Sequence, residues 1–276
     1  MSAATLKSSA SEVIAKLADK KTALEGVQGF ESLLDGASAQ DKLVLYSFIP
    51  QVMLASADKQ KPVAQAASAL VTKIFAEAAP WSGAYLLPFL KDSLSAKGKP
   101  EQKALACDII AAFAEQFPES VALEIEWLVH PLSVLMNDLK KDVKEKAKTA
   151  MTQVTGCSGN KDLEKFGACI VKAQEAAKNV PDCVEELAGC IFVQNVEAPA
   201  LAVLTPVLVR GLNERNEQTK RRCCVIVDNM CKLIDDPREG KPLLAEVKDL
   251  VAKAVDAISD PDAREMAEKT NKSIQK

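Results

Sequence analysis

Apolar residues recur along this chain at helical spacing, in blocks set apart by short polar turns. Val143, Ala147, Ala150, Met151 and Val154 fall at i, i+4, i+7, i+8 and i+11, one stripe of an α-helix. Cys223, Ile226, Val227, Met230, Leu233 and Ile234 form a second such stripe. Polar clusters at Asp58–Lys61, Lys97–Lys99, Lys140–Lys141, Asn213–Asn216 and Ser259–Asp260 interrupt the apolar blocks and predict turns.

Prolines give the pattern a ruler. Pro62, Pro100, Pro181 and Pro261 are separated by 38, 81 and 80 residues, each where an apolar helical block begins. Proline is tolerated there because the first N–H of a helix has no partner. Pro50, Pro88, Pro131 and Pro206 form a second series, 38, 43 and 75 residues apart, inside apolar segments that they are expected to kink or shorten. A helix containing a proline, a polar turn and a second helix, repeated every ~40 residues, predicts an all-α solenoid of about six to seven antiparallel helix pairs. We read residues 1–276 as one superhelical domain, least regular in its first pair (up to about Asp35) and its last. Gly156–Asn160 reads as a loop between repeats in preference to a hinge.

Composition agrees. The 276 residues are 48% hydrophobic and 26% charged, with 4% aromatics and 11 glycines, which favours close-packed helices over sheets and glycine-rich ligand loops. The formal charge of −3 means that any nucleic-acid contact has to come from local patches. Eight cysteines are scattered through a chain whose start, MSAATLKSSA, has no secretory apolar stretch, so a reducing, cytoplasmic setting is expected. The Ala198–Val209 run contains two prolines and is far short of the ~20 apolar residues of a membrane span, so no membrane partner is expected.

Three segments carry a resemblance: Arg210–Pro237 (RGLNERNEQTKRRCCVIVDNMCKLIDDP), Ala257–Lys269 (AISDPDAREMAEK) and Asn160–Phe166 (NKDLEKF). Together they resemble the amino-terminal HEAT-repeat region of fungal-type translation elongation factor three. They are more distantly similar to the HEAT segment of the ribosome-bound activator of the amino-acid-starvation kinase. The resemblance implies a HEAT-like solenoid that packs against the ribosome. In that family tandem ATP-binding cassettes supply the energy. No GxxxxGK[ST] loop stands in this chain: Gly98-Lys99 is followed by Pro100, and Ser93 occupies the leading glycine position.

Two basic groups are candidates for ribosome or rRNA contact. Arg210, Arg215, Lys220, Arg221 and Arg222 cross a turn into a helix; the bland alternative is a solvated turn in which Arg221 pairs with Asp228. Lys141, Lys144 and Lys148 leave one helix face, diluted by Asp138, Asp142 and Glu145, and an ordinary solvated face is the competing reading. The cysteines lack CxxC spacing and read as packing, as does His130 beside Pro131, the chain's single histidine. Trp81, Tyr85 and Trp127 are too scattered to stack bases and are expected to seal helix junctions. No catalytic set, metal site or cofactor is expected. The leading function is a non-enzymatic, translation-linked binding module whose partner is the ribosome, through rRNA and ribosomal proteins. The alternative is a HEAT-type protein–protein scaffold unrelated to translation.

Overall fold

The computed structural model describes residues 3–275, which form seven stacked helical hairpins and, among those residues, no β-strand. Hairpin one is α1 (Ala3–Ala15) and α2 (Ala23–Asp35). The first arm of hairpin two is split into α3 (Ala39–Tyr46) and α4 (Ile49–Ala55), and its second arm is α5 (Lys61–Ala76). Hairpin three has α6 (Gly83–Leu86), a 3-10 stretch at Leu87–Leu90, α7 (Lys91–Leu94) and then α8 (Pro100–Gln116). Hairpin four has α9 (Pro118–Ala122) and α10 (Ile125–Leu135), then α11 (Lys141–Gly156). Hairpin five has α12 (Lys161–Glu164) and α13 (Gly167–Glu175), then α14 (Val180–Ala188). Hairpin six is α15 (Ala198–Asn213) and α16 (Glu217–Cys231), and hairpin seven is α17 (Pro237–Ala257) and α18 (Pro261–Ser273).

Both proline series have a structural role, but not the same one. Pro62, Pro100, Pro181 and Pro261 each stand at the first or second position of a second arm, where no backbone bond is lost. In the first arms, Pro50 opens α4 after a break and Pro88 lies in the 3-10 stretch. Pro131 and Pro206, however, lie inside helices that continue past them, and the break in hairpin four falls at Leu123–Glu124, ahead of Pro131. The apolar context explains why these two helices persist: Leu128, Val129 and Leu132 are buried around Pro131, and Val203, Leu204, Val207 and Leu208 around Pro206. Burial of several such side chains, at ~1.5–3 kcal/mol each, outweighs the loss of one helical hydrogen bond.

The stripes read from the sequence face inward. Val143, Ala147, Ala150, Met151 and Val154 are buried, as are Cys223, Ile226, Val227 and Met230, while Leu233 and Ile234 are half-buried. Second arms pack on second arms, α8 on α11 and α16 on α18, and first arms on first arms, α15 on α17. Hairpin five is the exception: α13 is short, so α10 of hairpin four reaches α15 of hairpin six directly. The stack ends in a groove of about 520 Å³ lined by Ile234, Leu244 and Ile274 among others. No helix of the described residues is long and apolar enough to cross a membrane.

Candidate docking surface

Stacking places the turns within the hairpins side by side. Gln60 Nε2 donates to the Lys20 carbonyl (2.9 Å) and joins the first two turns. Lys99 Nζ reaches the Ala57 carbonyl (3.5 Å), and Lys103 Nζ meets Asp138 Oδ2 (2.9 Å) with both side chains largely buried. Further on, the Glu217 carboxylate accepts from the backbone N–H groups of Ser259 and Asp260 (2.9 and 3.0 Å), and these bonds hold it below the usual carboxylate range.

In three of these turns an aspartate is tied to the backbone. The side chains of Asp19, Asp58 and Asp138 accept from the backbone N–H groups of Lys21, Gln60 and Lys140. The Lys140 N–H and the Lys103 ammonium together lower the Asp138 pKa against the effect of its burial. The cations beside them are exposed: Lys20 and Lys21 in the first turn, Lys59 in the second and Lys97 in the third. Lys140 stands in the fourth, Lys178 in the fifth and Arg215 in the sixth. One edge of the stack therefore carries a cation at every turn of the first six hairpins. Residue-by-residue reading missed this edge because each turn holds only one or two such cations. The signal was present in their recurrence on the same ~40-residue ruler as the prolines.

The second-arm face uses its charges differently. Lys73 Nζ bonds Glu31 (3.2 Å) and Asp35 (2.8 Å) of the preceding hairpin, Lys146 bonds Asp108 (2.7 Å), and Arg222 bonds Glu185 (2.8 Å). These partners are 37 to 42 residues apart, one repeat, so they lie across neighbouring hairpins. At the end of the ladder, buried Asp228 (2% side-chain exposure) accepts from Lys232 (2.6 Å), Lys269 (3.2 Å) and Ser273 (2.7 Å). Burial pushes its carboxyl up, but the three hydrogen bonds and the Lys232 charge prevail and hold it below its ordinary value.

The predicted basic residues divide accordingly. Arg210 is half-buried and lies apart from the other four. Its Nη1 donates to the carbonyls of Ala173 (2.7 Å) and Gln174 (2.6 Å), in the last turn of α13, and its Nη2 to Ser133 Oγ (3.2 Å) on α10. It clasps three hairpins together where hairpin five is narrow, and its fork of donors satisfies carbonyls that a helix end leaves open. Arg222 is held by Glu185, Lys148 by Glu175 (2.7 Å), and exposed Lys141 lies 3.6 Å from Glu145. Arg215, Lys220, Arg221 and Lys144 make no ion pair among the described residues. The Arg221–Asp228 pair of the alternative reading does not form, because Asp228 faces inward to Lys269 of the next hairpin. The two groups are not brought together: on the second-arm side hairpin five lies between α11 and α16.

His130 is exposed, contrary to the packed role expected of it, since Leu128, Val129 and Leu132 take the inner face of α10. Tyr85 does seal a junction: its hydroxyl donates to the Leu43 carbonyl (2.7 Å), 42 residues away. Trp127, a further 42 residues on, carries the Lys91 ammonium over its ring at 4.6 Å. Trp81 seals nothing; it is 83% exposed, and Leu123, 42 residues on, is 78% exposed. The eight cysteines are free, six buried and two half-buried.

Helical hairpins stacked once per repeat and cross-linked at that period define a HEAT-type α-solenoid that offers rows of side chains along an edge and two faces. The chain belongs to the elongation factor 3 HEAT-repeat family. It matches the EF3 N-terminal HEAT repeat over residues 2–151 and the Elongation factor 3/GNC1 HEAT repeat over residues 178–276. It is 32% identical over 267 residues to elongation factor 3 of Candida glabrata, covering 96% of this chain and 26% of that relative. It is 31% identical over 267 residues to elongation factor 3A of Saccharomyces cerevisiae, with the same coverage. It is 34% identical over 217 residues to elongation factor 3 of Phytophthora infestans, covering 79% and 21%. The chain thus spans about a quarter of the length of the curated relatives it matches. Among solved structures, a designed armadillo repeat protein is similar at 15% identity with a TM-score of 0.33, covering 95% of this chain and 98% of that chain. An engineered protein is similar at 11% identity with a TM-score of 0.39, covering 97% and 68%.

Proposed function

We propose that residues 1–276 act as one rigid, cytoplasmic docking domain that holds the ribosome through rRNA phosphates and ribosomal proteins. In this reading the domain binds and performs no chemistry. The observation that carries it is the turn edge: exposed cations at each of the first six turns, with the aspartates of the first, second and fourth turns tied to backbone. A row of ammonium and guanidinium groups at repeat spacing suits a phosphate backbone, and a preformed surface lowers the ordering cost of binding. Arg215, Lys220, Arg221 and Lys144 extend that surface, whereas Arg210 supports it from within the stack and Arg222 and Lys148 are held in ion pairs across neighbouring hairpins. Recognition of rRNA would follow shape, since the edge offers a charge row and no base-reading set.

A protein contact has its own support. Trp81, just ahead of α6, and Leu123, between α9 and α10, stand exposed 42 residues apart. They fit a ribosomal protein, or the partner of a scaffold unrelated to translation. Co-sedimentation with purified ribosomes separates these outcomes. Docking predicts pelleting at low salt, release as salt rises, and loss of pelleting in the triple variant Arg215→Glu, Lys220→Glu, Arg221→Glu. Protein that stays in the supernatant at low salt refutes the proposal for this chain. Pelleting that is indifferent to salt and to the triple variant but lost in Trp81→Ala supports a protein-led contact.

A further inference from the structure

Hairpin five holds two thiols in contact. Cys169 lies in the first turn of α13 and is half-buried; Cys183 lies in α14 and is buried. Their sulfur atoms are 3.0 Å apart, with the Cys183 S–H directed at the Cys169 sulfur, although the residues are 14 apart in sequence. A disulfide needs about 2.05 Å, so the two sulfur atoms stand about 1 Å beyond bonding distance. We propose that Cys169 and Cys183 form a dithiol modification site, which hydrogen peroxide converts into an intramolecular disulfide that a thiol reductant reopens.

Environment separates this pair from the other cysteines. Burial pushes the Cys107 and Cys224 thiols up to about 12 and those of Cys157 and Cys231 up to about 11, so little thiolate is present at neutral pH. Cys169 shifts the other way. The hydrogen bond from Cys183 favours its thiolate, with a smaller contribution from the Ile170 N–H, against burial and the nearby Glu186 carboxylate. Its partner is shifted up, because the same hydrogen bond keeps the Cys183 proton in place. One sulfur is thus poised to attack and the other to resolve.

The chemistry balances with one peroxide. The Cys169 thiolate attacks a peroxide oxygen, the O–O bond breaks, and the departing hydroxide takes up a proton as water, leaving a sulfenic acid. Cys183 sulfur then attacks the Cys169 sulfur and the S–O bond breaks. The leaving hydroxide takes the Cys183 proton, and a second water departs. Two thiols are oxidised by two electrons and one hydrogen peroxide is reduced. The bridge would tie α13 to α14 at the narrow hairpin that Arg210 also clasps.

The test treats the whole chain with a small excess of hydrogen peroxide, alkylates free thiols under denaturing conditions and maps peptides by mass spectrometry. The expected product joins the Cys169 and Cys183 peptides, two hydrogens lighter, and dithiothreitol reverses it. Phenylarsine oxide, which chelates paired thiols, should bind one per chain and block the oxidation. Cys169→Ala and Cys183→Ala should each abolish arsenical binding, whereas Cys231→Ala, which removes the other half-buried thiol, should keep it. Cys183 recovered fully alkylated while Cys169 carries sulfinic acid overturns the proposal, as does a bridge that uses another cysteine. If a variant fails to fold, the peptide map of the unaltered chain decides alone.

Discussion

Arg210→Ala should cost fold stability first and binding only through it. The substitution removes a charged donor from the Ala173 and Gln174 carbonyls and from Ser133 Oγ, at 2.7, 2.6 and 3.2 Å. A hydrogen bond involving a charged group contributes ~1.5–3 kcal/mol, and stranding a buried carbonyl costs ~1–3 kcal/mol. Burial already disfavours this guanidinium and lowers its pKa, so part of that gain offsets desolvation. The net loss should be about 3 kcal/mol. At ~2–4 °C per kcal/mol for a chain of this size, Tm should fall by roughly 6–12 °C, read by circular dichroism or calorimetry. Arg210→Lys should recover only part of the loss, because one ammonium cannot reproduce the fork. Hydrogen exchange should quicken in the last turn of α13. An unchanged Tm in Arg210→Ala, accompanied by weaker ribosome binding, would refute the clasp and make Arg210 a docking residue.

Asp228→Asn should lose ~1–2 kcal/mol at pH 7, since it weakens the charged hydrogen bonds that a buried carboxylate accepts from Ser273, Lys232 and Lys269, while the two ammonium groups, more than half exposed, keep their water. The native carboxyl lies below its ordinary 3.8, so its stabilisation is present above that value and is lost as pH falls through the lower folded one. The gap between variant and wild type in urea titrations should therefore close below about pH 4; a gap that persists unchanged at pH 2 would contradict the assignment. Gly211→Ala would place a Cβ 2.5 Å from Cys223 Sγ and 3.2 Å from a Val184 methyl group, where α15 meets α16 and α14. A loss of ~1–3 kcal/mol is expected. At Gly156, which ends α11, nothing lies within 4 Å of such a Cβ, and alanine should be neutral or stabilise by up to ~1 kcal/mol in the same thermal melts.

Local periodicity made the hairpins legible. Pro62, Pro100, Pro181 and Pro261 mark second arms because helix starts impose the same constraint wherever they occur. The family was legible in the block from Arg210 to Pro237. What the sequence hid depends on neighbours one repeat away. Asp228 and Arg221 share a helix side on a wheel, yet Asp228 finds Lys269, 41 residues on, because α18 packs against α16. Arg210 looked like one member of a basic run, but α13 is short enough to bring its open carbonyls within reach. The turn cations form a row only once the hairpins stack, which no window of a single helix reveals. His130 misled for a simpler reason: an apolar neighbourhood in sequence includes the outward-facing position of an amphipathic helix.

The central claim is that the ladder consumes some cations and leaves the turn edge free for phosphate. The salt dependence of ribosome affinity tests it most directly, comparing two sets of charge reversals. Reversing Arg215, Lys220 and Arg221 to glutamate should weaken binding and flatten the slope of log affinity against log salt, by up to ~0.7–0.9 for each phosphate no longer neutralised. Reversing Lys148 and Arg222, which are paired with Glu175 and Glu185, should lower Tm and leave that slope in place. Equal slopes for the first set and the wild type, with a flattened slope for the second, would contradict the account.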